Sequence, residues 1–283
     1  MRWGRDYHIH THYLGCANAT MQVEAIIRKA EALGLRSIAI TDHLNTLDRL
    51  PDHVKIRDEL VAFDTPIEVY FGCELNILDL DAALPYSNQV AREMGFELAI
   101  AGVHGTWLDP AEATREAVLA RQTDLLIKLA ASPLVDVVVH PWWFGRKDYE
   151  GVLAPWLTDM SAVPKEMTRD LVQAATGNGV AIEVNACANF LPDYFPETLK
   201  SSYADYVALL YEYGATLSIA SDAHDIARLG STTVVEDVLE ALGVPDDRIY
   251  HPALPPASPA RAWPPSRQAR RDRACTPASR LVR

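Results

Sequence analysis

Two hydrophobic periods alternate along most of the chain. Short runs rich in β-branched residues end on polar ones at 6–10, 37–41, 67–74, 97–104, 135–140, 180–185 and 216–222. Such runs predict strands. Longer stretches with apolar residues at helical spacing lie between them, at 21–33, 51–63, 110–131, 164–178, 201–214 and 233–242. Gly34, Gly179, Gly214 and Gly243 fall where these helices should stop, and Pro51, Pro110 and Pro164 fall near their starts. Residues 78–94 read as an irregular loop plus a short helix. Seven strands alternating with helices imply a parallel sheet, and the count suits a closed or nearly closed barrel better than an open one.

The pattern stops near residue 252. Residues 252–283 are rich in Pro, Arg, Ala and Ser without periodicity, so a barrel over 1–251 and a disordered tail are expected. The tail holds seven arginines and one aspartate, a surplus of six positive charges. The whole chain carries −12, so the rest carries −18. Such a body repels polyanions, which argues against a nucleic-acid groove. With 283 residues, 49% of them hydrophobic, the chain can bury a large core. No apolar stretch approaches a bilayer span, and Met1–Arg5 leads straight into Asp6 and a histidine cluster. A soluble, cytoplasmic protein that does not engage a membrane is therefore expected. Cys16, Cys73, Cys187 and Cys275 form no CxxC pair and read as thiols.

The polar strand ends carry the chemistry. Strand one ends in His8 and His10, strand two in Asp42 and His43, strand three in Glu74, strand four in His104 and strand five in His140. Strand six ends in Glu183 and Asn185, and strand seven in Asp222 and His224. In a parallel barrel these ends converge on one rim, and residues i and i+2 share a face. Six of the nine histidines thus meet there. A lone strand-end histidine is more often a hydrogen-bonded rim residue than a ligand. Six beside Glu74 and Asp222 form a ligand set for Zn²⁺, Mn²⁺ or Fe²⁺.

The motifs HxHT at 8–11, TDH at 41–43, GCE at 72–74, GVH at 102–104, HP at 140–141 and SDAH at 221–224 occur in order. Over about residues 1–250 this chain resembles the polymerase and histidinol phosphatase (PHP) family. The resemblance implies a distorted seven-stranded (β/α)7 barrel holding two or three metals. It makes His8, His10, Glu74 and Asp222 ligands of one metal. Glu74 bridges to a second, held by His104 and His140, and His43 and His224 serve a third. The implied activity is metal-dependent phosphoesterase chemistry on a small phosphorylated substrate, a phosphomonoesterase foremost. A metal-bridging hydroxide would attack phosphorus, with Asp222 in the catalytic set and His43 or His224 protonating the leaving oxygen. Histidinol-phosphate phosphatase proper, a nucleotide phosphodiesterase or exonuclease, and a degenerate domain with structural metals are the alternatives. An amidohydrolase barrel also begins with HxH, but it carries a late lysine ligand that has no counterpart here.

The chain departs from the family at the third site, where Cys16 stands eight residues after the first histidine in place of another histidine. Cys16 is either a soft ligand or a small loop hydrophobe, and His12 is a second candidate. Two dications against Glu74, Asp222 and a hydroxide leave a positive rim suited to a phosphate monoester dianion and compatible with a diester. Arg146 and Asn185 are candidate substrate contacts, as is Asn18. Asp42 is a candidate acceptor for a ligand histidine. Trp107, Trp142, Trp143 and Phe144 read equally well as a wall for an apolar leaving group and as loop packing. His53 is expected on an exposed helix face, and neither it nor His251 is given a role.

Overall fold

The computed structural model describes residues 1–253 except Thr106, Pro110 and Pro155. The tail beyond Ala253, with Cys275 and all seven of its arginines, lies outside the described residues.

Seven parallel strands form a nearly closed barrel: β1 (Arg5–Ile9), β2 (Ser37–Ile40), β4 (Glu68–Asn76), β5 (Leu98–Gly102), β6 (Val137–Val138), β7 (Ala181–Asn185) and β8 (Leu217–Ala220). They are hydrogen-bonded in that order. A two-residue strand, β3 (His43–Leu44), lies off this path and pairs with β4 so that His43 sits opposite Glu74. The barrel closes between β8 and β1. There the Asp222 amide donates to His8 O at 2.8 Å, the His10 amide donates to Ala223 O at 3.2 Å, and buried Asp6 accepts the Ser221 amide at 2.8 Å.

Helices α1 (Val23–Leu33), α2 (Leu50–Ala62), α3 (Asn88–Met94), α4 (Arg115–Ala130), α6 (Lys165–Asn178), α7 (Glu197–Glu212) and α8 (Thr232–Ala241) surround the barrel, with the short turn α5 (Arg146–Asp148) in the loop after β6. Helix α1 stops at Gly34, whose φ of 73° is the left-handed conformation that glycine adopts without cost. Thr114 caps α4 by accepting the Ala117 amide, so this helix begins later than its apolar period suggests. Helix α7 begins at Glu197, directly after Pro196, four residues ahead of its predicted start.

Side chains alternate across the strands. On β4, Val69 and Phe71 pack toward α1 and α2, and Cys73 and Leu75 toward α4 and its neighbours. Tyr70 instead joins Tyr7, Ala39, Leu98, Ile100, Val137 and Ala181 in a cluster inside the barrel. Both faces of the strands are therefore buried. Glu74 and Glu183 share the inward face with these residues and lie nearer the C-terminal strand ends. The interior is apolar at one end and polar at the other.

His53 departs from expectation. It is fully buried, lies edge-on to Phe71 and Phe96, and its Nε2 donates to His43 O at 3.1 Å. Helix α2 has only a weak apolar stripe, so its buried face was not apparent from its composition.

Candidate metal centre

The site lies where the strands run out. His10 follows β1, His104 and His140 come two residues after β5 and β6, and Asp222 comes two residues after β8. Leaving the strand lets each side chain turn over the barrel mouth. His140 and Asp222 take φ values of 31° and 57°, which are rare for residues with a Cβ and are held by surrounding contacts. Gly102 makes room for His140. A Cβ there would lie 2.6 Å from His140 Cε1 and 2.8 Å from Val139 Cγ2.

Glu74 is the hub. Its Oε1 lies 3.1 Å from both His104 Nε2 and His140 Nε2, and its Oε2 lies 3.3 Å from His8 Nε2, 3.4 Å from His10 Nε2 and 2.7 Å from His43 Nδ1. Asp222 Oδ1 lies 3.6 Å from His8 Nε2 and 3.3 Å from His10 Nε2. Three overlapping groups bring donor atoms within 4.8 Å of one another: His8, His10 and Glu74; His43, Glu74 and His104; His10, Cys16, His43 and His224. The last group adds His10 to the three residues expected there. His12 belongs to none of them, and its Nδ1 donates to Met21 O at 3.2 Å.

Glu183, which the sequence reading left without a role, organises the cluster. Its Oε1 accepts from His8 Nδ1 at 2.7 Å, and its Oε2 accepts the His140 amide at 2.7 Å and Asn185 Nδ2 at 2.8 Å. A carboxylate that only accepts puts the proton on His8 Nδ1 and turns Nε2 inward. The available signal was positional, since Glu183 lies two residues before Asn185 and shares its inward face. Asn185 is committed to the same framework. Its Nδ2 also reaches Asp222 Oδ2 at 3.3 Å, and its Oδ1 accepts the Ala188 amide at 2.8 Å. This is the geometry of a residue that positions carboxylates.

The other candidates are placed elsewhere. Arg146 is exposed, pairs with Glu150 and Asp193, and lies over the Tyr194 ring. Asn18 donates to Asp225. The carboxylate of Asp42 accepts the Thr11 amide through both oxygens at 3.0 Å, so it ties the end of β1 to the end of β2 and bonds no histidine ring among the described residues. Trp142 is buried, its Nε1 donating to Tyr206 Oη, whereas Trp143 lies against His104 and His140.

The electrostatics test whether cations fit. Burial opposes charge on Glu74, yet His43, His8 and His104 hold it well below the usual carboxylate range. Asp222 is held low against burial by His8 and His10. Burial also opposes charge on His8, but Asp222, Glu183 and Glu74 raise its pKa well above normal. Burial and the neighbouring histidines push His10 down to about 3, against a hydrogen bond to Asp222. His8 Nε2 and His10 Nε2 are 2.9 Å apart. Without a proton between them, two lone pairs would face each other beside two carboxylates. His43 Nδ1 and Glu74 Oε2 are buried 2.7 Å apart but are not aligned as a hydrogen bond. The cluster demands positive charge that no lysine or arginine among the described residues supplies, and its imidazole and carboxylate donors suit divalent transition metals. Cys16 lies with Sγ 3.8 Å from His10 Nδ1. Cys16 is exposed at the surface, yet the protein packed around its thiol, with Asp42 and Glu74, pushes its pKa up to about 12, and a bound cation would favour the thiolate.

Residues 6–187 match the PHP domain. The chain belongs to the PHP family. Two relatives named "probable phosphatase", from Shewanella sp. strains ANA-3 and MR-4, are 26% and 25% identical over 247 residues. Each alignment covers 86% of this chain and 85% of the relative. Among solved structures, an N-isopropylammelide isopropylaminohydrolase from Burkholderia multivorans aligns with a TM-score of 0.45 and 13% identity, over 83% of this chain and 70% of that one. That likeness is too slight to bear on the reaction. In this PHP chain His8, His10, His43, Glu74, His104 and His140 fall within the matched residues, and Asp222 and His224, beyond them, meet the same cluster at the barrel mouth.

Proposed function

We propose that this chain is a metal-dependent phosphomonoesterase acting on small phosphorylated molecules. The observation that carries the reading is the convergence of His8 Nε2, its tautomer set by Glu183, with His10 on two carboxylates that burial does not neutralise. In this reading His8, His10 and Asp222 hold one divalent cation with Glu74, and Glu74 is shared with a second held by His104 and His140. His43, His224 and Cys16, with His10, offer a third position. When bound, such cations supply charge to the phosphoryl oxygens and lower the pKa of water to near neutrality.

The protein's own part is orientation and proton handling. Glu183 and Asn185 fix the ring of His8, the backbone of His140 and the carboxylate of Asp222. His224 is the most exposed of the six histidines, and its Nδ1 donates to Asp222 O at 3.0 Å. Where no third cation is held, its Nε2 or the ring of His43 is free to pass a proton to the leaving alcohol oxygen. Hydrolysis breaks the bond from phosphorus to the ester oxygen and forms one to the water oxygen. A proton from the water ends on the departing alcohol. The relatives' name supports this reading.

The test is metal analysis of the purified protein with phosphate release from a panel of monoesters and one diester, bis(4-nitrophenyl) phosphate. Expected are at least two equivalents of Zn, Mn or Fe and monoester turnover that chelation abolishes and re-addition restores. Glu74→Ala should lose turnover and more than one equivalent of metal. A reconstituted protein that releases no phosphate from any monoester would overturn the proposal.

A further inference from the structure

Next to the histidine and carboxylate cluster lies a partly open cavity with room for about 100 Å³. His104 lines it, and so does Trp143, whose ring centroid is 5.8 Å from that of His104 and 5.2 Å from that of His140. The rest of the wall is largely apolar, with Leu108, Val118, Phe144 and Leu153. The other polar side chains of the wall are Asp148, which is exposed, and Gln122 on α4. Gln122 is 1% exposed, and its Nε2 has no acceptor among the described residues. A buried amide hydrogen without a partner costs on the order of 1–3 kcal/mol, so its presence in an apolar wall calls for an acceptor supplied from outside.

We infer that this cavity holds the leaving group of the phosphate ester, and that the preferred leaving group is a planar ring carrying one hydrogen-bond acceptor, which the Gln122 amide meets. The inference rests on the phosphomonoesterase reading, with the ester oxygen on the His104 side of Glu74, where His43, its ring centroid 5.4 Å from that of His104, is the proton donor. The enclosed room is about 100 Å³, less than the roughly 150 Å³ of an apolar cavity that takes a whole ring, so a single ring would be seated with part of it in the open mouth. Trp143 provides a flat face, and Gln122 provides direction to an otherwise undirected pocket.

The probes are methyl phosphate, benzyl phosphate and the three pyridylmethyl phosphates. Benzyl alcohol and methanol are similarly acidic, so the first pair differs in ring binding rather than in leaving-group chemistry. The pyridylmethyl esters are isosteric with benzyl phosphate and add one acceptor. In the wild type, kcat/KM should rise by at least about a hundredfold from methyl to benzyl phosphate. It should rise about tenfold more for at least one pyridylmethyl isomer. Ala113→Trp, which puts a bulky ring into the cavity wall, should shrink the benzyl-to-methyl ratio toward one. Gln122→Leu should keep the benzyl preference and erase the pyridyl advantage. Benzyl alcohol followed by ligand-observed NMR reads the cavity without any turnover, and its binding should be lost in Ala113→Trp. If no ester is cleaved, the phosphomonoesterase reading falls while the alcohol still reports on the cavity. If methyl and benzyl phosphates are cleaved equally, or benzyl alcohol binds wild type and Ala113→Trp alike, the inference is overturned. If benzyl phosphate is preferred but no pyridyl isomer gains, the assignment of Gln122 is overturned.

Discussion

Glu183 touches three groups of the cluster while making none of its closest contacts to Glu74. Its loss should therefore show first in metal affinity. Glu183→Gln keeps the shape but exchanges one acceptor oxygen for an NH₂, which cannot accept from both His8 Nδ1 and the His140 amide. Metal affinity is expected to fall roughly 10–100-fold, with turnover recovering at high metal concentration. A competition titration with a chromophoric chelator checks this, and unchanged affinity would remove Glu183 from the framework. Gly102 acts through space instead of charge. The Cβ of Gly102→Ala would sit 2.6 Å from His140 Cε1, so that ring must move. Turnover should fall at least about tenfold, with a stability loss of roughly 1–3 kcal/mol. Wild-type kinetics in this variant would show that His140 has slack.

Among the elements, α2 carries an acid-sensitive contact. His53 is buried between α2 and β4, and burial pushes its pKa down to about 4, against its hydrogen bond to His43 O. A histidine whose folded pKa lies below its unfolded value favours the native state above about pH 6.5, and that favour is lost as pH falls toward 4. Its contribution is at most about 3 kcal/mol over that window. Urea denaturation at pH 4.5 and pH 7 should show a smaller pH difference for His53→Phe than for the wild type. An equal difference in both proteins would mean that other groups set the acid limit. The seam between β8 and β1 was not visible at this scale from sequence. Asp6 reads as the first residue of a strand, and only the folded chain brings its carboxylate to the Ser221 amide.

For the whole molecule, the described residues end just beyond a small cluster under the barrel. There the Tyr7 hydroxyl meets Ser37 Oγ and His251 Nδ1, with Tyr70 and Tyr250 alongside. His251 is thus part of the body, and its Nε2 lies 3.4 Å from Glu68 Oε2. Deleting residues 254–283 should leave melting temperature and phosphate release near wild type, whereas a deletion that also takes residues 250–253 should lower the melting temperature by several degrees. Thermal melts and monoester assays of the two truncations check this, and a large loss on the shorter deletion would show that the tail packs on the barrel. Among the described residues no helix is long and apolar enough to cross a membrane.

Seven strand-like runs ending in histidines and carboxylates were enough to specify a parallel barrel and to place eight of the cluster residues, because strand period and strand polarity are local properties of a chain. The histidine and carboxylate motifs that meet at the barrel mouth were legible for the same reason, each being a short segment at one strand end. The roles that depend on partners distant in sequence were not legible. Glu183 lies 175 positions from His8, and Gln122 becomes informative only when its amide is found without an acceptor beside Trp143. Asp42, Asn18 and Arg146 carried the right chemistry for the rim, but folding gave each a nearer partner. The exposure of His53 could not be inferred from a helix whose buried face is marked by neighbours rather than by its own apolar residues. Composition and period tell a side chain which face of an element it shares. Which atom it meets across the barrel is decided only when closure of the sheet brings the strand ends together.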